Sequence, residues 1–124
     1  MLKGVNVLVK HDPYNDGFLT YGRDVTQYDG KKTIGKVFES QGTMAFTEMS
    51  ARDQDYQLVD ALGSTLDLKV KTMYPFHMES QLINKLVVHL KGVKYETIKV
   101  DRDRNKEQLF WYLQKVGVVS ERIG

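Results

Sequence analysis

Between Lys85 and Val116 apolar and polar residues alternate with the two-residue period of β-strands. Leu86, Val88 and Leu90 mark one face, and Lys91-Gly92 makes a tight turn. The chain returns from Val93 to Val100, with Val93, Tyr95 and Thr97 alternating against Lys94, Glu96 and Ile98. Asp101 to Asn105 turns it again, and Leu109 to Leu113 comes back as an aromatic-rich strand. The pattern predicts a meander of consecutive antiparallel strands.

Upstream the same period recurs in shorter runs. Val5, Val7 and Val9 alternate with Asn6, Leu8 and Lys10 and predict a first strand. Asp12 to Gly17 combines Pro, Asn, Asp and Gly and predicts a turn. An extended segment over Phe18 to Gln27 follows, then a turn over Tyr28 to Lys32. Strands over Thr33 to Phe38 and Thr43 to Met49 are separated by the turn-prone Ser40-Gln41-Gly42.

The period then changes to that of a helix. Ser50 with Asp53 three residues on has the form of a helix start, the acid facing the positive end of the dipole. Tyr56, Val59 and Leu62 follow at helical spacing, and Gly63 stands where a left-handed terminator is expected, so a helix is predicted over Ala51 to Leu62. Leu66, Leu68 and Val70 alternate with Asp67, Lys69 and Lys71 and re-enter the sheet. Pro75, which lacks a backbone donor, ends that strand, and His77 to Leu82 reads as a loop. These elements predict a mainly β fold: a small antiparallel barrel or sandwich with one short embedded helix at about 51–62. Closing such a sheet removes edges that would otherwise aggregate.

Composition narrows the classes. A chain of 124 residues fits one domain spanning 1–124. Nothing approaches the roughly 20 apolar residues of a membrane span. The N-terminal MLKGVNVLVKHDP lacks the apolar core of an export signal, so a cytoplasmic setting with no membrane partner is expected. The absence of cysteine excludes disulfides, thiolate metal sites and a cysteine nucleophile. The net charge of +2 is too small to predict a nucleic-acid protein, but it is unevenly spread. Up to Gly63 there are seven basic and nine acidic residues; from Ser64 onward there are eleven and seven. Such asymmetry suits copies meeting head to tail, and equally suits plain solvated surface.

Candidate chemistry fails on spacing. Asp101, Asp103 and Asn105 copy the start of a calcium loop, but Lys106 replaces the glycine at the sixth position and Tyr112 the glutamate at the twelfth. A hairpin turn whose Asp side chains cap backbone donors is the better reading. Gly30-Lys31-Lys32-Thr33 ends like a phosphate loop, yet Val25 stands where its first glycine is needed. His11, His77 and His89 are far apart, and neither a nucleophile elbow nor a dinucleotide fingerprint occurs. No catalytic residue, metal or cofactor is therefore expected, and the chain is read as a non-enzyme. Phe110, Trp111 and Tyr112, with Arg102, Arg104, Lys106 and Lys115 nearby, have two readings. They are a platform for stacking single-stranded nucleic acid, or they are core, with Trp111 pointing one way and its neighbours the other. Core is the favoured reading.

The order Leu68 to Thr72, Val87 to Asp101 with Gly92 at its turn, a charged turn, and then Phe110 to Val116 resembles the head–tail joining proteins of tailed bacteriophages. These are also called head-closure, stopper or adaptor proteins. The resemblance covers Met44 to Val116, with the helix near Ser50 where some members carry one; Met1 to Gly42 matches nothing. It implies a β-barrel protomer that is monomeric alone and forms a ring under the portal, joining capsid to tail. Its partners would be portal, adaptor and tail proteins, its location the virion and, during assembly, the bacterial cytoplasm. It implies no catalytic residues. A tail terminator or minor capsid component is the related alternative, and an oligonucleotide-binding barrel a more distant one. The turns Tyr14 to Gly17, Tyr28 to Lys32 and Tyr74 to Leu82 are the expected contact loops. Lys31, Lys32, Tyr74, Phe76, His77, Arg102, Arg104 and Lys106 are the candidate contacts to partners or, weakly, to DNA.

Overall fold

The computed structural model describes residues 14–74, 86–103, 105 and 107–119. In chain order they form β1 (Gly17–Asp29), β2 (Lys32–Met49), α1 (Asp53–Ala61), β3 (Leu68–Met73), β4 (Val87–Leu90), β5 (Val93–Arg102) and β6 (Gln108–Val118). The expected strand at Val5 to Val9 and loop at His77 to Leu82 lie outside the described residues. Every strand pairing is antiparallel, in the order β1-β2-β3-β6-β5-β4, and β4 returns to β1, so the sheet closes into a barrel. Two three-strand meanders are thus joined along two seams, β3 to β6 and β1 to β4. The expected C-terminal meander is the second of them.

Alternation puts one side chain in two inside. Leu19, Tyr21, Phe46, Val70, Leu86, Val88, Leu90, Leu109, Trp111 and Leu113 form the buried interior. Trp111 lies against Tyr21, ring centroids 5.9 Å apart. Its indole N–H donates to Thr72 Oγ1 at 3.0 Å, which satisfies the polar group that an apolar interior would otherwise strand. The core reading of Trp111 therefore holds. Both short turns follow backbone chemistry. Lys91 and Gly92 both have positive φ, the signature of a type I′ hairpin, and Gly30 opens the β1–β2 turn with φ +70°.

The structure corrects three local expectations. Ser40-Gln41-Gly42 is no turn: β2 runs through it as one 18-residue strand. Register with β1 slips between Tyr21 and Gly22, pairing Tyr21 with Gly42 and Gly22 with Ser40, so Gln41 is a bulge. The glycines make that bulge fit. A Cβ on Gly42 would stand 2.7 Å from the buried Tyr21 hydroxyl, and one on Gly22 would collide with the Glu39 carbonyl. The helix is shorter than expected and starts two residues late. Arg52, not Ser50, is its N-cap, and the carboxylate of Asp55, three residues on, accepts the Arg52 backbone N–H at 2.9 Å. Its C-terminus is as read: Gly63, at φ +80°, and Ser64 donate to the Asp60 and Val59 carbonyls. Finally, strand β5 extends to Arg102; Ile98 faces outward as its alternation predicts, but a register shift leaves it unpaired, so Lys99 also faces outward and Val100 turns toward the interior.

Gly22→Ala should lower stability by about 2 kcal/mol through the clash with β2. Gly117→Ala, in open space, should stay within about 0.5 kcal/mol of the parent. Urea unfolding of both variants checks this, and equal midpoints would show that the bulge tolerates a side chain at Gly22.

Candidate functional site

Two features stand outside the barrel core, and each is set by the sheet beneath it. The first is the outer face of β3, β6 and β5, which α1 covers. Val59 of the helix, Leu66 and Tyr112 form a second buried cluster, with Ala51, Ile98 and Phe110 packed around it. Lys69, expected to point to water because it alternates with Leu68 and Val70, does point out of the barrel, but the helix roofs it over. Its ammonium donates to Asp55 Oδ2 at 2.9 Å, with only 7% and 5% of the two side chains exposed. It also lies 5.2 Å from the Tyr112 ring centre and 5.8 Å from that of Phe110.

Burial pushes the Asp55 carboxyl up, but the Arg52 backbone N–H, the Lys69 ammonium and the Arg52 guanidinium outweigh it and hold the group below its ordinary value. Burial also raises the Tyr112 phenol, aided by the Asp101 and Asp55 carboxylates and by its hydrogen bond to Asp101, against Arg52; the result is about 12. Beside these groups an open groove of about 550 Å³ runs between the start of the helix and β5 and β6, lined by Met49, Arg52, Asp101, Arg102, Phe110 and Tyr112 among others.

The second feature is the far part of the β1–β2 hairpin. Pairing of β1 with β4 stops at Gly22 and that of β2 with β3 begins only at Phe46. Among the described residues the hairpin from Arg23 to Glu39 is a two-stranded arm, roughly 20 Å long at about 3.3 Å per residue. Two contacts brace its base. The Phe38 ring stacks on His89 with centroids 3.9 Å apart, and Lys94 donates to Asp24 at 2.7 Å. A side chain at Gly22 would press on the Phe38 ring, so that glycine also admits the stack. Burial and the Lys94 ammonium lower the His89 pKa against the pull of Asp24, so the ring meets Phe38 uncharged at neutral pH. A cleft of about 570 Å³ lies beneath, lined in part by Lys36, Val118 and Val119.

The expected contact residues fall in two places. Lys31 and Lys32 are exposed at the tip of the arm. Tyr74 and Arg102 meet at the barrel: the Arg102 guanidinium donates to the Tyr74 hydroxyl at 2.9 Å and lies over its ring. Phe76, His77, Arg104 and Lys106 lie outside the described residues. Of the expected contact loops, the stretch before Gly17 is tied down. Tyr14 accepts from Gln108 and carries Lys71 over its ring, and Asp16 accepts the Glu48 backbone N–H at 2.7 Å. The turn over Tyr28 to Lys32 narrows to Gly30 and Lys31, its neighbours being in strands.

The Asp101 to Asn105 turn behaves as a capped hairpin. Asp103 accepts the Glu107 and Gln108 backbone N–H groups, while Asp101 lies in β5, paired with Lys99. No group of three His, Asp or Glu side chains at metal-holding distance occurs among the described residues. The stacking platform loses its largest ring, because Trp111 is inside the barrel and Tyr112 is under the helix. Sequence reasoning missed the Lys69–Asp55 pair and the arm. An acid at the third helical position and a run of 13 residues in β1 were the available signals.

No protein-family model matches the chain, and no curated protein matches it. Among solved structures the fold is similar to a chain of the "Virion of native gene transfer agent (GTA) particle", with a TM-score of 0.52 and 14% sequence identity. The likeness covers 86% of this chain and all of that one.

Removing either member of the buried ion pair should cost about 3 kcal/mol, because the remaining charge loses its partner under the helix. Lys69→Met combined with Asp55→Leu should recover most of that loss, read as chemical-denaturation midpoints. The parent protein should also weaken in acid with a defined sign. Asp55 is lower in the fold than in the unfolded chain, so its contribution is complete above about pH 4 and fades as pH falls through the folded value. Unfolding midpoints from pH 6 to 2 should therefore fall more steeply for the parent than for Asp55→Asn.

Proposed function

We propose that this chain is a structural protein of a phage-type virion, acting at the head–tail junction as one copy in a ring and performing no catalysis. The likeness of its barrel to the whole of a chain in a gene transfer agent particle carries this reading. Two properties of the surface support it. Carboxylates near the candidate sites are engaged in capping and pairing: Asp103 holds a turn and Asp101 faces Lys99 and Tyr112, both singled out by sequence, and Asp55, which sequence did not single out, faces Lys69. Of the ten exposed large apolar side chains among the described residues, six lie on the arm and at the helix, elements suited to protein contacts. On this reading the neighbours are portal or adaptor subunits on one side and tail proteins on the other. The chain reaches them as a subunit made in the bacterial cytoplasm. A tail terminator, built on the same ring logic, is the nearest variant.

Epitope-tagged chain should appear in purified particles at the head–tail vertex by immunogold microscopy, and should co-purify with the portal or tail-tube proteins encoded beside it. Particles that assemble and hold DNA without the chain would defeat the reading. So would salt-sensitive, submicromolar binding of single-stranded DNA in filter titrations, the mark of an oligonucleotide-binding barrel.

A further inference from the structure

The β1–β2 arm is an element the barrel does not need. An isolated two-stranded hairpin is marginal in water, and among the described residues β1 beyond Gly22 and β2 from Lys32 to Ala45 have no third strand. Strand parity makes one face of the arm a continuation of the barrel interior. Leu19 and Tyr21 are inside, and Arg23 and Val25 follow in the same phase, with Val37 paired to Val25. Along that face Val25 is half-buried and Val37 exposed. Toward the tip, Tyr28, which the same parity places on the opposite face, is 63% exposed and Ile34, at the second register slip, 59%, with Lys31, Lys32 and Lys36 adding positive charge.

The complementary surface is on the same molecule. Helix α1 contains three aspartates and no basic residue; Asp55 is consumed by Lys69, which leaves Asp53 and Asp60 exposed. Tyr56, Leu58 and Leu62 are exposed beside them, and an open pocket of about 330 Å³ lies between the helix and the segment leading to β3, lined by Tyr56, Asp60 and Leu66 among others. An apolar, basic arm tip thus matches an apolar, acidic helix. The arm cannot satisfy its own helix. Strands alternate in sense around the barrel, so the β1–β2 turn leaves the end at which β1, β3 and β5 finish, whereas α1 begins where β2 finishes, at the opposite end.

We propose that the arm of one copy docks on α1 of a second copy of this chain, with Tyr28 and Ile34 against Tyr56, Leu58 and Leu62, and Lys31 and Lys32 facing Asp53 and Asp60. Donor and acceptor surfaces differ, so the contact is heterologous and propagates from copy to copy until it closes. The inference rests on the ring reading and deepens it by naming the surface through which the ring forms.

The chain has no cysteine, so introduced thiols report without background. In the full chain at assembling concentration, Lys32→Cys mixed with Asp60→Cys should give mainly the mixed cross-linked dimer under mild oxidation. The double variant Lys32→Cys/Asp60→Cys should give a ladder that ends in a closed species. Reversing the tip with Lys31→Glu/Lys32→Glu should weaken self-association about tenfold in sedimentation velocity, and adding Asp53→Lys/Asp60→Lys should restore it. All these positions are exposed, and circular dichroism confirms folding. Rings that form without 32-to-60 cross-links would overturn this contact while leaving the ring reading intact. Duplex DNA binding that is lost in Lys31→Glu/Lys32→Glu, with no 32-to-60 cross-link, would overturn it by assigning the tip to nucleic acid.

Discussion

The structure depends on the seam between β3 and β6, where the two meanders meet after a long excursion of the chain. Six residue pairs hold it, from Leu68 with Leu113 to Met73 with Gln108. Side chains from both faces of β6 then lock it. Trp111 reaches inward and bonds Thr72 of the partner strand; Tyr112 reaches outward into the cluster beneath α1. Short polar bonds extend the lock past the strand: Asp67 donates to the Leu113 carbonyl, and its side chain accepts the Lys115 N–H. With that seam in place the remaining closure, β4 against β1, needs only four residue pairs.

The covering helix follows from the same seam. Its packing area is small, with Val59 as its only fully buried apolar side chain, so an ion pair contributes where hydrophobic area is scarce. A buried pair of this kind is weak as a source of net stability, but strict about partners, since either charge alone is costly there. The Lys69–Asp55 contact therefore fixes where the helix sits more than how firmly it is held. That fixed position decides which helical side chains remain outside, and Tyr56, Leu58 and Leu62 are among them.

Where sequence succeeded and failed has a physical basis. The Lys91-Gly92 hairpin, the Gly63 helix terminator and the capping role of Asp103 are local matters of backbone conformation, and local residues specify them. Gln41 is different. Ser-Gln-Gly reads as a turn because bulges and turns use the same permissive residues, and only the register with Tyr21 and Gly22 tells them apart. Lys69 shows the same limit in packing. Alternation places it outside the barrel correctly, but which patch of the outer surface receives a helix is a long-range property with no period to read. The arm escaped notice because its residues alternate like any strand; what sets it apart is the absence of third-strand partners among the described residues, which is visible only once pairing is known. Of the expected contact residues, the exposure of Lys31, Lys32 and Arg102 as charge beside turns was legible, whereas the meeting of Tyr74 with Arg102 was not.

The chain's single tryptophan acquires a use from its position. Trp111 sits in the barrel interior, donating to Thr72 and leaning on Tyr21, away from both the arm and the exposed side of the helix. Its emission is therefore an internal gauge of barrel closure, sensitive to separation of β3 from β6. What docks on the outside leaves it largely unmoved, so one spectroscopic signal separates loss of fold from loss of association.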